Sequence, residues 1–120
     1  MKNLYWILAA FNLITITSIQ AQQIGDLDTS FNGTGKIITD FAAANDGAQS
    51  VAIQSDGKAV VVGYSSVGNN SRFALSRYNT NGTLDTSFGG TGKVITDFAP
   101  LYDYASSVAI QPDGKILTAG

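Results

Sequence analysis

The sequence contains no cysteine, no histidine and no glutamate, and only two prolines. Each absence closes a route. Without cysteine an exported chain has no disulfide framework, so its stability must come from packing and strand pairing. Without histidine or cysteine, His/Cys zinc sites and Ser-His or Cys-His nucleophilic catalysis cannot be built from this chain. Charge is also scarce. Seven cations and nine anions give a net charge of −2, so there is no basic footprint for nucleic acid. All nine acidic residues are aspartate. Glutamate favours helices, whereas aspartate, asparagine and the thirteen glycines favour turns. The body of the chain therefore reads as nearly all β.

The first 21 residues read as a secretory signal peptide. Lys2 supplies the positive start, Leu4 to Ile16 is apolar except for Asn12 and Thr15, and Ser18-Ile19-Gln20-Ala21 ends on a small residue. Cleavage is expected between Ala21 and Gln22. The run is shorter than the roughly 18–20 apolar residues of a membrane span, and no stop-transfer charges follow. An uncleaved N-terminal anchor is the rival reading. A lipoprotein anchor would need a cysteine at the cleavage point. Loss of Lys2 leaves six cations against nine carboxylates, a net of −3.

What is present in abundance is repetition. Leu27–Phe41 (LDTSFNGTGKIITDF) returns as Leu84–Phe98 (LDTSFGGTGKVITDF), 57 residues later. Ser50–Gly63 returns as Ser107–Gly120 at the same spacing. Between Gly25–Gly63 and Gly82–Gly120, 26 of 39 positions are identical, which makes the shared residues scaffold before they are anything else. The domain reading is a signal peptide over 1–21, a first repeat over 22–81, and a second, truncated repeat over 82–120.

Each repeat carries four short strand candidates. They are Ser50–Gln54, Lys58–Tyr64, Arg72–Tyr78, and Lys36–Phe41 with its second copy Lys93–Phe98. Gly33-Thr34-Gly35 is expected to be a tight loop at positive φ. Asp56-Gly57 is expected to be a two-residue hairpin of type I′, and Asn81-Gly82 a turn. Ala42–Gln49 and Ser65–Ser71 read as loops. Ala59-Val60-Val61-Val62 is apolar on both faces, as a central strand would be. A four-stranded antiparallel sheet cannot bury both faces alone, so it must stack on copies of itself. Radial stacking gives a β-propeller. A β-helix is the competing solenoid, but its coils are shorter and lack Asp-Gly hairpins. The phasing puts Ser50–Gln54 innermost and Lys93–Phe98 outermost. One blade is then complete, and Lys36–Phe41 is the outer strand of another. A propeller closes with roughly 4–8 blades, so this chain is expected to be part of a longer reading frame, with apolar faces and open strand edges exposed when taken alone.

LDTSFGGTGKVITDF and SVAIQPDGKILTAG, with RFALSRYNTNGTLD between the copies, resemble the delta-60 repeat, a bacterial propeller-like family. The resemblance spans Gly25 to Gly120, and VAIQPDGKI is also similar to the NHL-type propeller repeat. It implies an exported or surface protein with many such repeats, often ending in a secretion-sorting domain. It brings no common catalytic residues.

Several motifs invite chemistry and have plainer readings. The pairs Asp28/Asp85, Asp40/Asp97, Asp46/Asp103 and Asp56/Asp113 recur in both copies, as turn and loop-capping residues would. Acid–base catalysis would need two carboxylates in one cleft with separated pKa values. Gly89-Gly90-Thr91-Gly92-Lys93 looks like a phosphate loop, but Ser87 and Val94 stand where that motif needs Gly and Ser/Thr. Asn79–Asp85 echoes a calcium loop without its bidentate glutamate, and a plain Asn-Gly turn accounts for it. Three Asn-x-Ser/Thr sequons occur, at Asn32, Asn69 and Asn81; two fall on Asn-Gly turns, as by-products of turn chemistry would. No cofactor and no metal site is expected.

Ligand contacts are expected where the copies differ. Ala43-Ala44-Asn45 becomes Pro100-Leu101-Tyr102, Gly47 becomes Tyr104, and Gln49 becomes Ser106. Tyr102 and Tyr104 flank Asp103, and exposed aromatics beside a carboxylate suit sugar rings or peptide side chains. The plainer reading is that one Tyr packs beneath the loop. Tyr64, Asn69, Asn70 and Arg72 form a second variable patch. The expected protein is an exported, non-catalytic propeller that binds an unknown protein or glycan at the cell surface or outside the cell, with further blades of the same chain as its neighbours. The alternatives are the propeller part of a secreted carbohydrate-active hydrolase or lyase, and a structural array without a ligand.

Overall fold

A computed structural model describes residues 24–41, 45–98 and 102–120. The expected signal peptide, residues 42–44 and residues 99–101 lie outside the described residues. Six strands are present: β1 (Asn45–Ile53), β2 (Ala59–Val67), β3 (Asn70–Tyr78), β4 (Lys93–Thr96), β5 (Ser107–Ile110) and β6 (Ile116–Ala119). The first four form one antiparallel sheet in chain order, β1-β2-β3-β4, and β5 pairs with β6 in a second. This is the meander of a propeller blade followed by the inner hairpin of the next. Among the described residues no helix is long and apolar enough to cross a membrane.

The Asp-Gly hairpin differs from the two-residue type I′ expectation. Type I′ needs two residues at positive φ. Here Gly57 sits at φ 83°, while Asn32 is the one non-glycine at positive φ among the described residues. Gly57 N–H donates to Gln54 O (2.9 Å) and Gln54 N–H to Lys58 O (2.8 Å). This is a three-residue loop, a type I turn closed by a left-handed glycine. Asp56 Oδ1 accepts from Lys58 N–H at 3.1 Å, so the aspartate holds the turn from its side chain. Asp113-Gly114 repeats the geometry, and Asn81-Gly82 uses it too, with Asn81 Oδ1 accepting from Thr83 N–H.

Strand bounds also shift. Ser65–Ser71 is not a loop: β2 runs to Val67 and β3 starts at Asn70, joined through Gly68-Asn69 with Gly68 at φ 62°. β1 begins at Asn45, four residues before the end of the expected loop, and carries a bulge at Gln49, between the pairs Ala48–Gly63 and Ser50–Val62. Lys36–Phe41 is not a strand. Its second copy forms β4 by pairing with β3, and the residues 57 positions before β3 do not supply the first copy with a matching β3 sequence. It lies instead beside the blade. Thr39 Oγ1 and Tyr78 OH share a hydrogen bond at 2.7 Å, and Lys93 Nζ donates to Asp40 O while standing over the Phe41 ring.

The core forms on one face of the blade. Val60 and Val62 of β2 are buried together with Phe73 of β3 and Ala105, and Leu75, Val108, Ile110 and Ile116 pack against them. The front of the first blade therefore meets the back of the second. Burying side chains of this size contributes about 1.5–3 kcal/mol each.

Candidate functional site

The segment entering β5 positions the aromatic residues. Tyr102 forms a parallel bridge with Ser71 at the start of β3, Asp103 N–H donates to Ser71 O (2.9 Å), and Ala105 N–H donates to Gly63 O (3.2 Å). The segment thus crosses the start of β3 and the middle of β2 before pairing, and residues alternate across it. Tyr102 and Tyr104 fall on one side with their rings nearly parallel, 4° apart in plane and 6.4 Å between centroids. Tyr104 meets the Tyr64 ring edge to face at 5.0 Å. Its hydroxyl accepts from Ser71 Oγ at 3.3 Å, and Ser71 is itself hydrogen-bonded to Ser66. Tyr64 in turn lies over Gly47, where a Cβ would stand 2.5 Å from the ring. Tyr102 is 61% exposed and Tyr104 40%. Tyr104 is thus held by Tyr64 and Ser71, and the parallel Tyr102 ring beside it is the more exposed of the two.

Asp103 is turned away from that platform. Its Oδ2 accepts from Phe98 N–H at 2.8 Å, as Asp46 Oδ2 accepts from Phe41 N–H at 2.8 Å in the preceding copy. The loop-capping reading of this pair holds. Asp103 borders a smaller hollow with Phe73, Phe98 and Thr118. The sequence-predicted trio is thus split, with two tyrosines on one side and the carboxylate on the other.

A cleft of about 600 Å³ opens on the tyrosine side, between Tyr64 and Tyr104 and the free edge formed by β1. Asn45, Asp46 and Gln49 line it from β1, with Ser66, the β2 partner of Asn45, and Ser106. Gln49 reaches it because the bulge leaves that residue without a partner on β2. Asp46 contributes a buried oxygen, Oδ1, that has no hydrogen-bond partner among the described residues. Four of the lining residues, Asn45, Gln49, Tyr104 and Ser106, sit at positions where the repeats disagree. That signal was available in the sequence. The place of Asp46 was not, because the identity of Asp46 and Asp103 marked the pair as scaffold, and Ser66 carried no signal of its own.

The remaining carboxylates are tied into structure. Asp85 is buried between Lys58 Nζ (2.9 Å) and Arg77 Nε (2.8 Å), and its Oδ1 accepts from Ser87 Oγ and N–H. The Ser87 bond first, and then Lys58, hold its carboxyl far below the usual carboxylate range. Ser30 lowers Asp28 in the same way, and Lys115 lowers Asp113. Gly89–Lys93 is a turn leading into β4, with Gly92 N–H bonded to Phe88 O. No group of metal-ligating side chains occurs among the described residues.

The meander and its docked second hairpin define a β-propeller repeat protein. A family model described as "Domain of unknown function (DUF5122) beta-propeller" matches residues 54–88, a stretch that covers β2, β3 and the turn leading toward β4. No curated protein and no solved structure matches the chain.

Proposed function

We propose that this chain is a non-catalytic binding module of an exported β-propeller of the delta-60 type, which takes a protein or carbohydrate ligand at the cell surface or outside the cell. The observation that carries the reading is the pair of exposed, parallel tyrosine rings beside a cleft whose lining falls where the repeats differ. Rigid aromatic rings offer large contact area at little entropic cost. The cleft presents one carboxylate, Asp46, whereas hydrolysis of a glycosidic bond ordinarily uses a pair. The signal-peptide pattern of residues 1–21 supports export.

The test is binding of the purified chain to glycan and peptide arrays, repeated with Tyr102→Ala and Tyr104→Ala. Each substitution is expected to weaken the interaction about tenfold or more, since aromatic anchors at a site contribute well over 1 kcal/mol. Binding that is indifferent to both substitutions would place the ligand elsewhere and end this reading.

A further inference from the structure

Within that reading, we infer that the cleft beside β1 binds a neutral sugar that packs on Tyr104 inside the cleft and on the exposed Tyr102 ring next to it, hydrogen-bonded through its hydroxyls to Asn45, Asp46 and Gln49. The chemistry of the lining selects this class. The lining holds two planar amides, one carboxylate and two serine hydroxyls, and its apolar surface is aromatic. Vicinal hydroxyls of a sugar both donate and accept, and a carboxamide or carboxylate can engage two of them at once. The C–H-bearing face of the ring fits a flat aromatic surface.

Asp46 supplies the one carboxylate of the lining. One of its oxygens is committed to Phe41 N–H, while the other is buried and lacks a partner among the described residues. That oxygen has less than 1 Å² of accessible surface, so a sugar hydroxyl meets Asp46 only through the part of the residue that lines the cleft. None of the lining residues is Lys or Arg, which leaves a uronate or phosphate without a counter-charge and beside an anion. The cleft volume lies within the roughly 300–1,000 Å³ of small-ligand sites.

A quaternary ammonium would also be attracted to tyrosine and carboxylate, but a cage needs ring faces converging on one point. Here Tyr104 meets Tyr64 edge to face and lies parallel to Tyr102, so the three ring faces do not converge.

The full chain is titrated calorimetrically with a neutral hexasaccharide series (gluco-, manno- and xylo-), an oligogalacturonate of the same length, and tetramethylammonium. At least one neutral series is expected to bind. Tyr102→Ala should weaken it tenfold or more, Tyr102→Phe should retain it to within about threefold, and Asp46→Asn should weaken it while narrowing the gap to the oligogalacturonate. Tyr102 is exposed, so its variants test the contact without testing the fold, and circular dichroism of each variant checks this. Preference for the oligogalacturonate or for tetramethylammonium overturns the sugar assignment. So does a peptide ligand that depends on Tyr102 when no oligosaccharide binds, a result that leaves the binding-module reading standing. Oligosaccharide binding unaffected by Tyr102→Ala also overturns it.

Discussion

Asp85 and Asp28 occupy the same place in successive repeats and carry different loads. Both accept from the serine two residues on, but Asp85 alone also holds Lys58 and Arg77, which tie β2 and β3 to the turn before β4. Because the folded carboxyl of Asp85 titrates below its unfolded value, its contribution is present above about pH 4, the unfolded aspartate value, and is lost as pH falls toward the folded one. Urea midpoints measured from pH 7 to pH 2 should therefore fall more steeply below about pH 4 in the wild type than in Asp85→Asn. The variant should start lower at pH 7, and the two curves should converge in acid. Parallel curves would show that Asp85 is not the linked group. Gly63 is a second residue whose role lies in what it leaves out. A Cβ there would overlap the carbonyl oxygen of Gly47, and one at Gly120 would overlap that of Tyr104, 57 residues along in both cases. Gly63→Ala should cost about 1–3 kcal/mol by overpacking, read as a lowered urea midpoint at unchanged slope.

At the scale of elements, the three-residue hairpin is the recurring unit. It closes at Gly57, Gly82 and Gly114, each at φ 83°. A β-carbon at such a position costs about 1–2 kcal/mol, and Asn tolerates it best of the other residues, as Asn32 does here at φ 51°. Gly57→Ala should thus destabilise the blade by about 1–2 kcal/mol in chemical denaturation and Gly57→Asn by less; equal losses would point to the neighbouring Thr80 methyl, 2.9 Å from the added carbon, as the cause. The order of β1 to β4 and their phasing were legible in the sequence because the 57-residue spacing and the Asp-Gly and Asn-Gly turns fix which runs are neighbours. The turn type was not, since Asp-Gly serves both the two- and three-residue loops. Lys36–Phe41 carries nearly the same residues as the fourth-strand copy and yet is no strand, because strand formation depends on a partner that sequence similarity does not supply. The bulge at Gln49 was hidden inside a polar stretch that resembles a loop. The aromatic half of the cleft was legible as repeat disagreement. Its polar half depended on that bulge and on the path of the chain across Ser71 and Gly63.

The molecule as a whole is organised by the two faces of one sheet. The front, with Val60, Val62, Phe73 and Leu75, is covered by Val108, Ile110 and Ile116 of the second blade. The back presents Val51 and Ile53, the first-copy counterparts of Val108 and Ile110, at 61% and 64% exposure. The covered surface and the open one are thus made of the same side chains, and the open one matches the front of any further blade, whether from this chain or from a second copy. Two copies of the chain carry such a surface, and the front of the second blade shows Leu117 at the position of Val60, so head-to-tail contact between copies follows from continuity with the interface already formed inside the chain. Identical substitutions should then give opposite results. Val108→Lys places a charge in the packed interface and should lower stability by about 1–3 kcal/mol. Val51→Lys, at the equivalent residue on the open face, should change stability by no more than about 0.5 kcal/mol, and should reduce concentration-dependent association in sedimentation velocity. If Val51→Lys destabilises as much as Val108→Lys in dilute monomer, the open face is packed within the chain itself. If it leaves association unchanged, the copies meet through another surface, with the free β1 edge as the next to be tested by blocking its backbone groups with proline.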